Sequence, residues 1–187
     1  MPPKTKITKE EIINTAVEIV RRDGADSINA RVIARELNCS TQPVFSNFAT
    51  MEDLRFAVVD AADALYQEYI NREIAAEKYP AFKASGMAYI RFAKEEKELF
   101  KLLFMRDRSA EAEQPETEGT RKISDIVQAS TGFSGDKAAL FHLEMWAYVH
   151  GIATMMATGY LELDTELVSD MLTDAYQGIM MRYKSKE

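Results

Sequence analysis

The sequence predicts an all-α protein. Three observations carry that reading. Four helix-start signals, at Thr8, Asn29, Ser40 and Thr50, fall within the first fifty residues. Apolar residues recur at three- and four-residue spacing almost throughout. No stretch shows the alternation of a half-buried strand, and no internal repeat is present. With 187 residues, 47% of them hydrophobic and 28% charged, the chain can bury a core without metal or disulfide support.

The elements follow in order. Thr8-Lys9-Glu10-Glu11 has the form of a capping box, with Ile7 and Ile12 as its hydrophobic staple. The helix that follows turns Ile13, Ala16, Val17 and Val20 inward, and Gly24 stops it. Asn29 caps a short helix, Ala30–Leu37, between the staple residues Ile28 and Ile33. Asn38-Cys39-Ser40 breaks the chain. Ser40 opens a third helix from Thr41 to about Asn47, with Pro43 in the first turn, where its missing N–H costs little. Cys39 and Val44 take the staple positions, so Cys39 reads as a small buried hydrophobe. Thr50, with Asp53 three residues on, caps a long helix to about Glu77 whose stripe is Leu54, Val58, Ala61 and Leu65.

Two short helices joined by a three-residue turn form a helix-turn-helix pattern, the second helix being the one that enters a major groove. We therefore expect residues 1–50 to form a three-helix DNA-binding domain. Its candidate DNA-facing residues are Lys4, Lys6, Asn29, Arg31, Ser40, Thr41, Gln42, Pro43, Ser46, Asn47 and Thr50. Gln42 suits adenine, and Thr41 or Pro43 suits a thymine methyl. Lys4 and Lys6, with Lys9, form a basic arm for the phosphate backbone or a minor groove. The free amides at the helix starts of Asn29, Ser40 and Thr50 suit phosphates.

Charge qualifies this expectation. The chain carries a formal net charge of -7. Residues 1–49 are near neutral: Lys4, Lys6, Lys9, Arg21, Arg22, Arg31 and Arg35 face Glu10, Glu11, Glu18, Asp23, Asp26 and Glu36. The acidity belongs to the larger second part.

That part, residues 51–187, is expected to be a helical ligand-binding and dimerisation bundle. Helices are expected from Ala81, over Leu99–Met105, over Arg121–Ser130, from Ser134-Gly135-Asp136 to about Thr158, and from Asp164 or Thr165 to about Tyr183. The acidic, polar stretch 107–119 reads as a loop. On the last helix, Val168, Met171, Leu172, Ala175, Tyr176 and Ile179 form a stripe fit for a bundle. Gly151 and Gly178 sit mid-helix, which close helix approach would explain. Tyr89, Phe92, Phe100, Leu103, Phe104, Trp146 and His150 are the candidate effector-binding residues, with Met105 beside them. Their types suit a small apolar or aromatic ligand.

Other chemistries find little here. Cys39 is the single cysteine, so no internal disulfide forms, and it has no histidine near in sequence to serve as its base. His142 and His150 lie eight apart, without the Glu-x-x-His pairs of a bundle di-iron site. No phosphate-binding loop or dinucleotide fingerprint occurs. We expect no enzyme activity, no cofactor and no metal. No apolar run is long enough to span a bilayer and the basic start lacks a signal-peptide core, so the expected location is cytoplasmic, without a membrane partner.

Residues 7–60 resemble the N-terminal domain of the tetracycline-repressor (TetR) family of bacterial transcriptional regulators. The carrying residues are Ile12-Ile13-Asn14-Thr15-Ala16, Gly24, Ile33-Ala34, Asn38-Cys39-Ser40, Val44-Phe45-Ser46-Asn47-Phe48 and Glu52-Asp53-Leu54. Ala88–Ala93 and Leu99–Phe104 are similar to that family's ligand-domain helices, and Trp146-Ala147-Tyr148-Val149-His150-Gly151 resembles a Trp-x-x-x-His-Gly signature of one C-terminal subgroup. The resemblance implies a homodimer through the last two helices, a palindromic double-stranded DNA operator, and a repressor released by a small-molecule effector. The sequence departs from the family at Phe45 and Asn47, where tyrosines are usual, at Met51, where a phosphate-binding lysine is common, and at Asn38, the usual turn glycine. Gln42 and Pro43 are also unusual there. The alternative is a ligand-binding or interaction protein on the same scaffold with lost or weakened DNA binding.

Overall fold

The structure is a computed structural model that describes residues 7–107 and 118–185. The described residues form nine α-helices, a short 3-10 turn at Ala25–Ser27 and no strand. The helices are α1 (Lys9–Asp23), α2 (Ala30–Glu36), α3 (Gln42–Asn47), α4 (Met51–Ala75), α5 (Ala81–Glu95), α6 (Lys97–Phe104), α7 (Glu118–Thr131), α8 (Gly135–Ala157) and α9 (Thr165–Lys184). Lys4 and Lys6 lie outside the described residues, as does most of the expected acidic loop.

The chain divides into two compact units, and not at residue 50. One holds the chain through Leu65 together with Glu96–Arg106; the other holds Tyr66–Glu95 and the chain from Asp107 onward. The division therefore falls inside α4. It also returns α6 to the first unit, because Leu99, Phe100 and Leu103 are buried and α6 packs on α1. Arg21 holds Glu96 with both ends of its guanidinium, Nε to Oε2 at 2.8 Å and Nη2 to Oε1 at 3.0 Å. Planar forks of this kind fix orientation as well as distance.

In the first unit, local chemistry sets each helix end. Thr8 Oγ1 accepts from the Glu11 amide at 3.1 Å, and Glu11 Oε2 accepts from the Thr8 amide at 2.7 Å. Gly24, at φ 84°, ends α1 in a conformation that other residues avoid. Asn29 Oδ1 accepts from the amides of Arg31 and Val32, at 3.1 and 3.0 Å. α2 ends as Asn38 turns left-handed at φ 51°, letting the Cys39 amide reach the Ala34 carbonyl at 2.9 Å. Ser40 is not the cap of α3: Thr41 already has helical angles, and no side chain caps that end. Ile12, Ala16, Ile33, Val44, Phe48, Leu54 and Val58 close the core, while Cys39 and Leu37 are only half-buried.

In the second unit, α5 is the central helix, packing on α7, α8 and α9. Gly86 marks its closest approach. A Cβ there would stand 3.2 Å from Leu172 Cδ1 and 3.5 Å from Val149. One end of the unit is an aromatic cluster in which Phe141, fully buried, meets Phe133, Tyr176 and Tyr183 at centroid distances of 5.6–5.8 Å. Edge-on pairs of this kind add to the burial itself.

One expectation for α9 changes here. Val168 and Leu172 are buried, and Ala175, Tyr176 and Ile179 pack on the aromatic cluster, so that stripe is used within the protomer. A Cβ at Gly151 of α8 or Gly178 of α9 has no neighbour within 4 Å among the described residues of the protomer. The opposite faces carry the exposed apolar residues, Leu140 and Leu143 on α8 and Leu167 and Met181 on α9. At helical spacing, Leu140, Leu143, Ala147 and Gly151 share one line, and Leu167, Met171, Gly178 and Met181 share another.

Candidate functional site

The first unit presents α3. Val44 and Phe48 are anchored in the core, at 1% and 4% exposure. Their burial turns Gln42, Phe45 and Ser46 to solvent and leaves Thr41, Pro43 and Asn47 half-buried. Ser46 Oγ donates to the Gln42 carbonyl at 2.9 Å and Asn47 Nδ2 to the Pro43 carbonyl at 2.8 Å. The Ser46 hydroxyl hydrogen is thus spent within the helix, as is one of the two Asn47 amide hydrogens. Phe45 is 54% exposed and was not among the DNA-facing residues expected from sequence. The signal that could have found it is its place three residues after Gln42 and one after the buried Val44.

Around α3, Asn29, Arg31, Ser40 and Thr50 are exposed. Arg31 and Arg35 make no ion pair among the described residues, whereas Arg22 bridges Glu36 at 3.0 Å. The helix-start amides are less available than the sequence suggests. Asn29 takes two of those of α2. At α4, Thr50 Oγ1 takes the Asp53 amide at 3.1 Å, and Asp53 Oδ2 accepts from the Thr50 amide at 2.8 Å. A carboxylate therefore sits where a phosphate would come.

The expected effector residues divide between the units. Phe100, Leu103 and Phe104 belong to the first, with Phe100 and Leu103 buried. Tyr89, Phe92, Trp146 and His150 belong to the second, and there three of them meet. Tyr89 Oη lies 2.9 Å from His150 Nδ1, and His150 Nε2 lies 3.4 Å from Thr154 Oγ1. The Trp146 and His150 rings stack, centroids 4.9 Å apart and planes 21° from parallel. Each ring nitrogen thus has a hydroxyl partner, and the tautomer of His150 sets which atom donates in each pair.

Burial pushes the Tyr89 phenol up, with the Trp146 bond opposing. Burial also lowers His150, which is therefore neutral at pH 7. Tyr66, missed from sequence, joins Phe92 to this group through ring contacts of 5.7 Å to Tyr89 and 5.4 Å to Phe92. Trp146 remains 39% exposed. The arrangement offers an aromatic surface and a polar chain running from tyrosine through histidine to threonine. Among the described residues no group of three or more His, Cys, Asp or Glu could hold a metal ion.

Residues 82–176 match the family model of the tetracyclin repressor-like C-terminal domain. The chain belongs to the TetR family. It is accordingly a DNA-binding transcriptional regulator with a ligand-binding domain. An uncharacterized HTH-type transcriptional regulator of Mycobacterium tuberculosis, Rv0681, is 27% identical over 184 residues, covering 95% of this chain and 84% of that one. A Rhodococcus sp. RHA1 protein of unknown function has a similar structure, with TM-score 0.71, 23% identity and 97% of both chains covered. A TetR-like transcriptional regulator from the same organism gives TM-score 0.63 at 12% identity over 98% of this chain and 99% of that one. The multidrug binding protein EbrR, solved with imidazole, gives 0.60 at 16% identity over 89% and 88%. These structural likenesses show the TetR fold. TetR regulators bind operators and small ligands and form dimers. No described helix of this one is long and apolar enough to cross a membrane.

Proposed function

We propose that this TetR-family protein is a homodimeric, cytoplasmic repressor that binds a palindromic operator and releases it when a small molecule occupies the second unit. We assign DNA reading to the N-terminal helix-turn-helix, with α3 in the major groove, and no catalysis to any part of the chain. The observation that carries the reading is the outward face of α3, Gln42, Phe45 and Ser46, displayed on helices whose inner faces are fully packed.

Dimerisation is assigned to the exposed lines of α8 and α9. Leu140, Leu143, Leu167 and Met181 supply apolar surface, and Gly151 and Gly178 leave room for close helix approach. A two-fold pair matches a palindrome. The effector, apolar or aromatic, is assigned to the Trp146–His150–Tyr89 group, with Phe92 and Tyr66 behind it. Such a ligand acts only through unequal affinity for the DNA-fitting and non-fitting states. α4 runs without a break across the division between the units, and the chain returns to the first unit at Glu96 and leaves it again after Arg106, so three covalent connections can carry that preference.

The test is fluorescence anisotropy of the full chain with the intergenic duplex beside its own gene. A salt-sensitive, sequence-selective complex is expected, with Gln42→Ala relaxing preference at one base position by about 1–3 kcal/mol. Equal affinity for random duplex at low salt would favour a ligand-binding protein without an operator.

A further inference from the structure

We propose that Phe45 is a specificity-determining residue that reads thymine through its 5-methyl group. This rests on α3 being the reading helix. Ser46 has its one donor, and the half-buried Asn47 one of its two, committed to the helix's own carbonyls. No lysine or arginine lies between Ser40 and Thr50. What α3 offers a groove is therefore the exposed Gln42 amide and, one turn along the same side, the Phe45 ring.

A phenyl ring has no hydrogen bond to give a phosphate or a base edge. Among the four base pairs, the one apolar group in the major groove is the thymine C5 methyl. A ring 54% exposed, held in place because its neighbour Val44 is 1% exposed, matches that target in size and chemistry. Pro43, half-buried beside it, extends the apolar surface. Gln42 suits adenine N6 and N7, so the two side chains together select A·T pairs at neighbouring positions of each half-site. The phenyl ring also separates thymine from cytosine, which a hydroxylated ring would do less sharply because its oxygen can pair with polar edges.

The experiment begins by enriching operators from a random duplex pool with the full-length protein. Each half-site thymine of the winning duplex is then replaced in turn by deoxyuridine, which removes only the methyl. At one or two positions the wild type is expected to bind about fourfold more weakly, the worth of one buried methyl or methylene group. In Phe45→Ala the same replacement is expected to change nothing. The ring is exposed, so that variant keeps its fold, which circular dichroism checks; Phe45→Leu, expected to retain part of the sensitivity, is a second reading. An enriched operator whose affinity ignores demethylation, or a Phe45→Ala protein as sensitive as wild type, overturns the proposal alone. A pool that yields no enriched sequence overturns the operator-binding reading and the proposal with it.

Discussion

At the scale of single residues, most caps were readable, Ser40 being the exception, and the exposure of Phe45 was not. Thr8, Asn29, Thr50 and Asp164 cap α1, α2, α4 and α9 because capping involves atoms three residues apart at most. Asn29→Ala should lower stability by about 1 kcal/mol in urea denaturation. An unchanged midpoint would mean that the two amides find other partners. Phe45 was legible only as an apolar departure from family habit, since its exposure is decided by where Val44 and Phe48 anchor. His150 illustrates the same limit: sequence placed it four residues from Trp146, but the bond to Tyr89 spans 61 positions.

Burial lowers the pKa of both His142 and His150 below the ordinary histidine value of about 6.5, so protonation favours the unfolded chain. Their contribution is constant above about pH 6.5 and is lost as pH falls through the lower folded values. Thermal melts should therefore show a pH dependence below 6.5 that shrinks in His150→Gln. Identical wild-type and variant profiles would contradict the assignment.

At the scale of elements, the number and order of helices followed from periodicity, because a buried face repeats every 3.6 residues whatever covers it. The partner of each face did not follow. α9 carries apolar residues on both sides, and only packing shows that the Val168–Ile179 side belongs to the protomer. The glycines separate the two roles. Gly86→Val meets Leu172 and should destabilise the protomer by about 1–3 kcal/mol in chemical denaturation. A Cβ at Gly178 meets nothing within 4 Å among the described residues, so Gly178→Leu starts from open space. It should leave helix content unchanged while raising the dimer dissociation constant in sedimentation velocity. A variant dimer as tight as wild type would remove α9 from the interface.

At the scale of the whole molecule, an all-α fold of helix-turn-helix type followed by a larger bundle was legible, since both rest on local signals in sequence order. The division inside α4 was not, because it depends on α6 burying Leu99 and Phe100 against α1, some eighty residues earlier. The expected effector residues divide for the same reason: helical aromatics report burial, not which core receives them. The near-neutral reading unit has a measurable counterpart at this scale. Each phosphate contact contributes about 0.9 to the slope of log affinity against log salt. With no cation on α3 and Asp53 at the start of α4, the slope for specific binding should stay below about 5. A slope near 10 would show cations doing what we assign to Gln42 and Phe45.

The carboxylate closing the cap at Thr50 has an effect on search as well as on grip. Arbitrary duplex is held by its charge alone, and here that attraction is weakened at its point of approach. Few copies would then be sequestered along the chromosome. Occupancy of the true operator would depend on how well groove and side chains match, and would shift little as cellular ion levels rise and fall.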